Sequence, residues 1–113
     1  MSRQIRSKED LENTIKIAAH RLVIIQFTAK WCGASQMISS AWESMRKEFP
    51  VYTFVRVDVD ATPDAAQAYG VTSTPAFVFM KDSLKLDSFC GANESRLRDT
   101  ILRHRRPSLC VSR

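Results

Sequence analysis

One stretch of this chain is apolar almost without interruption, and a second is strand-like with a few polar positions inside it. "RLVIIQF" (21–27) and "VYTFVRVDV" (51–59) are rich in β-branched residues. Runs of this length and kind suit strands covered on both faces, as in a parallel sheet. Between them, Ile38, Ala41, Trp42, Met45 and Phe49 recur at helical spacing, which predicts a helix over 34–49 that Pro50 stops. Upstream, Leu11, Ile15 and Ala18 mark a helix over 8–19. Ser7 and Asp10 form a capping box with Asp in place of the usual Glu. Downstream, Pro63 opens a short helix that Gly70 ends. "PAFVFM" (75–80) and "LKLDSFC" (84–90) read as strands joined by the turn "KDS". Leu97 and Ile101 mark a last helix over 93–104, with Pro107 beyond it. The order is strand–helix alternation, then a hairpin, then a helix. It predicts an α/β domain with a central mixed β-sheet and helices on both faces, over residues 1–106. Residues 107–113 are expected to form a flexible tail.

Composition changes this picture little. The chain has 113 residues, 44% hydrophobic and 26% charged, enough for one ordinary core. No run of about 18 apolar residues suggests a membrane span, and the polar start "MSRQIRSKED" does not read as a secretory signal. Three cysteines without such a signal point to a reducing, cytoplasmic setting rather than to a disulfide framework.

Charge adds one asymmetry. Residues 1–95 carry 11 Lys and Arg against 11 Asp and Glu, whereas residues 96–113 carry six Arg against Asp99, so the net charge of +5 belongs to the C-terminal end. That end has no interleaved aromatic residues, so a solvated helix is expected there and nucleic acid is not an expected partner.

The candidate chemistry lies in "TAKWCGASQM" (28–37). Cys32 follows the first buried strand and precedes a helix, where α/β domains tend to place reactive groups. A free cysteine has a pKa of about 8.5, and a helix N-terminus lowers it. Ser35 stands three residues on and can donate a hydrogen bond to a thiolate. Lys30 adds a nearby positive charge. His20, His104 and the cysteines have no zinc-site spacing, and no metal is expected.

Nearly the whole chain resembles the thioredoxin family. "VIIQFTAKWCGAS", "VYTFVRVDVD", "AYGVTSTPAFVFMKDS" and "FCGAN" fall in that family's order and spacing. The resemblance implies the thioredoxin fold, with Cys32 opening the second helix and Pro75 as a cis-proline facing it. It implies that Thr74 and Pro75 bind an extended substrate backbone, and that Trp31, Gly33, Ala34 and Gly91 complete the binding surface. Two positions depart from the family pattern. Ser35 replaces the resolving cysteine, and Gln26 replaces a buried aspartate that moves that cysteine's proton. Gln26 can hydrogen-bond but cannot titrate. The two changes fit one another, since without a resolving thiol its proton acceptor has no task.

The expected activity is therefore monothiol thiol–disulfide exchange through Cys32, by isomerisation or by glutathione-assisted reduction. Substrates would be protein disulfides or glutathionylated proteins. Glutathione is the candidate recycling thiol, with no resident cofactor, and thioredoxin reductase should be a poor partner. The alternative is a non-catalytic binding module that uses Trp31, Thr74–Pro75 and Gly91 to hold a peptide. Of the other thiols, Cys90 reads as a small buried strand residue, with an auxiliary thiol near the cleft as the alternative. Cys110 reads as a tail bystander in a monomer, with a Cys110-linked dimer as the alternative. Ser108 in "RRPSL" fits a basophilic kinase pattern.

Overall fold

The computed structural model describes residues 3–104. Expectations that rest on the tail, on Cys110 and on Ser108 lie outside these residues. The elements run β1 (Arg3–Gln4), α1 (Lys8–Ala18), β2 (Val23–Thr28), α2 (Gly33–Met37), α3 (Ser39–Glu48), β3 (Thr53–Asp58), α4 (Pro63–Ala68), β4 (Ala76–Lys81), β5 (Leu84–Cys90) and α5 (Glu94–His104). They form the thioredoxin fold. One five-stranded mixed sheet has the order β1-β3-β2-β4-β5. β3 pairs in parallel with β1 and β2, and β4 runs antiparallel to β2 and β5.

The alternation of side chains along each strand divides the core in two. Val23, Ile25, Phe27, Val55, Val57, Val78 and Met80 meet Leu11, Ile15 and Ala18 of α1 and Ala65 and Ala66 of α4. Leu22, Ile24, Phe54, Phe77, Phe79 and Phe89 meet Ile38, Trp42 and Met45, together with Leu97 and Ile101 of α5. The apolar runs in β2 and β4 follow directly, since these strands are covered on both faces, whereas β3, expected to be buried in the same way, leaves Arg56 and Asp58 only half-buried.

One element was not expected, and two expectations need correction. The short strand β1 carried no readable pattern, because two residues are too few for one; parallel pairing with β3 makes it a strand. The helix expected over 34–49 is broken at Ile38, which ends α2 and starts α3. There the Ser39 hydroxyl donates to the Ser35 carbonyl at 3.4 Å, the kind of side-chain competition that bends helices. Cys90 is exposed rather than buried. Strand alternation sets Phe89 into the core and turns its neighbour outward on the outermost strand.

The N-terminal cap is modified. Ser7 Oγ accepts from the Asp10 N–H at 3.0 Å, but Asp10 accepts from the Arg6 N–H rather than from that of Ser7. The turn after β4 places Asp82 and Ser83 at positive φ.

Candidate active site

Strand β2 ends at Thr28, and the chain turns through Ala29–Trp31 into α2. Cys32 is the N-cap of α2, so its sulfur sits where the first helical N–H groups are unpaired. From the other side comes the loop before β4. The Thr74–Pro75 peptide is cis, and the Thr74 carbonyl accepts a hydrogen bond from the Cys32 thiol at 3.4 Å. Gly91 follows β5 at φ 108, a conformation that favours glycine, and its N–H donates to the Pro75 carbonyl at 2.8 Å. The fold thus brings Cys32, Thr74, Pro75 and Gly91 together from three separate segments. Trp31 flanks them, 72% exposed, and its indole N–H donates to Asp60 at 2.7 Å. Gly33 is exposed and Ala34 half-buried at the start of α2.

The environment lowers the Cys32 thiol to about 7. The hydroxyl of Thr74 contributes most, then the hydroxyl of Ser35, then the Ser35 backbone N–H; partial burial opposes them, and the Ala34 N–H adds a little. These groups act on the charged form. With the thiol protonated, its S–H donates to the Thr74 carbonyl, and the Thr74 and Ser35 hydroxyls have no protein partner. On ionisation the sulfur becomes an acceptor, and both hydroxyls can turn onto it. Lys30 is not among the causes of the shift, so the charge expected to help from there does not. The helix N-terminus helps through two particular N–H groups. At pH 7, a group with this pKa is about half thiolate, the form that acts as nucleophile.

Ser35 is 2% exposed and Gln26 is fully buried. Neither amide atom of Gln26 has a partner. Gln26 pairs in register with Arg56 of β3, whose Nε is also buried and unpartnered. Cys90 lines a small cavity with Tyr69, Val71 and Ala76, to which Cys32 does not contribute. No disulfide or hydrogen bond joins Cys90 to Cys32 among the described residues.

Two participants escaped the sequence reading. Asp60, which holds the Trp31 ring, lies just past β3 in "VDVDA", where a pair of acids follows a buried strand. Arg56 is the lone cation inside the same strand, visible in "FVRVD" as a charge within a strand expected to be buried. Among the described residues, no three His, Cys, Asp or Glu side chains converge as a metal site would require, and no helix is long and apolar enough to cross a membrane.

A family model described as Thioredoxin matches residues 3–103. The chain belongs to the thioredoxin family. It is 38% identical to a thioredoxin of Geodia cydonium over 102 residues, covering 89% of this chain and 96% of that one. It is 38% identical to an H-type thioredoxin of Oryza sativa subsp. indica over 95 residues, covering 84% of this chain and 78% of that one. Among solved structures, Fasciola hepatica thioredoxin superposes with a TM-score of 0.89 at 44% identity, covering 90% of this chain and 98% of that one.

Proposed function

We propose that this thioredoxin-family protein carries out monothiol thiol–disulfide exchange through Cys32, in a reducing cytoplasmic setting. The observation that carries the reading is a partly buried cysteine, its thiol lowered to about 7, facing the Thr74–Pro75 loop, with a buried serine in the place of the resolving thiol.

An extended substrate lies along Thr74–Pro75 and Gly91, against the exposed face of Trp31. The Cys32 thiolate attacks one sulfur of the substrate disulfide. A mixed disulfide forms, and the other substrate sulfur leaves as a thiolate. Ser35 cannot attack that mixed disulfide, so a second thiol must. If a thiolate of the substrate attacks its own sulfur in the mixed disulfide, Cys32 is released and the substrate keeps a rearranged disulfide. If glutathione thiolate attacks the Cys32 sulfur, the substrate leaves reduced, and a second glutathione then frees Cys32 as oxidised glutathione forms. For a glutathionylated protein, the attack moves glutathione onto Cys32, and one further glutathione completes the turnover. No route passes through a Cys32–Ser35 bond, so thioredoxin reductase has no intramolecular disulfide to reduce.

The second reading, a peptide-binding module, is favoured by Trp31, which stays 72% exposed while Asp60 fixes its ring. Turnover of a glutathionylated peptide, with mass spectrometry to catch the mixed disulfide, separates the two. Exchange predicts a trapped adduct on Cys32 and a rate that falls to the uncatalysed level in Cys32→Ala. No adduct, together with peptide binding unchanged by Cys32→Ala, would leave the binding module standing instead.

A further inference from the structure

One cavity lies beside Cys32 without including it. About 680 Å³ opens between the ends of β2 and β3, the start of α2 and α3, and the segment after β1. Arg6, Lys30, Ser35, Arg56 and Asp58 line it. Three cations face one acid, a local balance of +2. Asp58 is already engaged, since its Oδ1 accepts from the Asp60 and Ala61 N–H groups and caps the loop after β3. Among the described residues, none of the three cations forms an ion pair.

Two polar groups without a protein partner lie just beneath this lining. Ser35 is 2% exposed, and its hydroxyl has no protein partner. Arg56 is half-buried, and its Nε is shut off from solvent with no acceptor. A guanidinium N–H buried without an acceptor is costly, and a charged acceptor repays it best. Arg6 and Lys30, both exposed, add positive charge at the mouth. Unpaired donors below and cations above form a lining for negative charge on oxygen.

We propose that this cavity binds a small oxyanion, inorganic phosphate or sulfate or the carboxylate of a small metabolite, with Arg56 and Ser35 as its inner contacts and Lys30 and Arg6 at its mouth. The site also bears on Cys32, a coupling that rests on the exchange reading given above. The Ser35 hydroxyl has a single hydrogen. Donated to a bound anion, it is withdrawn from the Cys32 thiolate, and the anion adds a like charge nearby. An occupied cavity therefore slows Cys32, and a thiolate at Cys32 weakens anion binding by the same factor.

The test is an amide NMR titration of the protein with sodium phosphate, with sodium chloride balancing the ionic strength. Saturable shifts are expected at Lys30, Ser35, Arg56 and Asp58, in the wild-type protein and in Cys32→Ala alike. Arg56→Gln should bind about ten-fold more weakly or worse, the size of one lost charge-assisted contact. Arg56→Lys, which keeps the charge if the glutamine variant fails to fold, should stay closer to wild type. Sulfate and succinate, titrated in parallel, separate an inorganic ligand from a carboxylate. Shifts that rise linearly with every salt, or saturable binding unchanged in Arg56→Gln, would overturn the site. Saturating anion should also slow alkylation of Cys32 at pH 7, and an unchanged rate would overturn the coupling. Because Cys32→Ala retains the cavity, loss of the exchange reading leaves the binding result intact.

Discussion

The two faces of the sheet are filled in different ways. The face under α1 and α4 is mainly aliphatic, with Phe27 and the partly buried Tyr69 as its aromatic members. The face under α3 and α5 is aromatic. Trp42 meets Phe54 edge-on at 5.2 Å between ring centroids and Phe77 at 5.9 Å, and Phe89 stacks on Phe79 at 6.1 Å. Among the described residues, the same face holds nearly all the polar atoms buried without a protein partner: both ends of the Gln26 amide, the Ser35 hydroxyl, the Trp42 indole N–H and the Arg56 Nε. On the aliphatic face burial is uncompromised packing. On the aromatic face it is packing that carries polar groups without a protein partner, among them the Ser35 hydroxyl beside Cys32. Stability and chemistry therefore divide between the two sides of one sheet.

Breaking the aromatic face should have the largest effect on folding. Trp42 is fully buried at its centre, and truncation leaves a cavity between two phenylalanines. Trp42→Ala should cost about 3–5 kcal/mol, measured by urea unfolding, whereas Ile25→Val on the opposite face should cost about 1 kcal/mol. Equal losses from the two variants would show that the aromatic cluster is not the main brace of this side.

The opposite sign is expected at Gln26. Its amide is fully buried, and neither end finds a protein partner. Methionine has a similar volume and shape and no group to leave unpaired. Gln26→Met should raise stability by about 2 kcal/mol, since an unsatisfied buried donor or acceptor costs about 1–3 kcal/mol. A loss would show that the amide is satisfied in solution and belongs to the packing rather than to the price of the site.

This division explains what could be read from the sequence. Strands covered on both faces appear as runs such as "VIIQF" and "FVFM", and helices as stripes such as Leu11, Ile15 and Ala18, so the order of layers was legible from periodicity. Cys32 and the Thr74–Pro75 loop were legible because their residues fall in a characteristic order. What lay hidden depends on three-dimensional neighbours. Cys90 is a small apolar residue in a strand, and only the place of β5 at the sheet edge shows that it is exposed. The contacts of Asp60 with Trp31, and the meeting of Arg56 with Ser35 at one cavity, join residues 29 and 21 positions apart. The break at Ile38, where the Ser39 hydroxyl donates to the Ser35 carbonyl, leaves the apolar spacing unchanged and so is not revealed by it.

The smallest effect is the most specific to the aromatic face. Ser35 contributes a hydroxyl and an N–H to the Cys32 thiolate, and the hydroxyl ranks behind that of Thr74. Ser35→Ala deletes the hydroxyl and keeps the N–H. A donor that stabilises the charged form lowers the pKa, so its loss must raise it. The alkylation midpoint of Cys32 should move up from about 7 toward the value of about 8.5 for a free thiol without reaching it, since Thr74 and the α2 N–H groups remain. The rate at pH 7 should fall several-fold, while the rate well above the midpoint, where both proteins are fully thiolate, should hardly change. Stability should not fall, because the deleted hydroxyl is buried with no protein partner while the thiol is protonated. The combination distinguishes a tuning contact from a structural one. If the midpoint stays near 7, Thr74 and the backbone hold the thiolate alone, and the buried serine serves the cavity beside it rather than the sulfur.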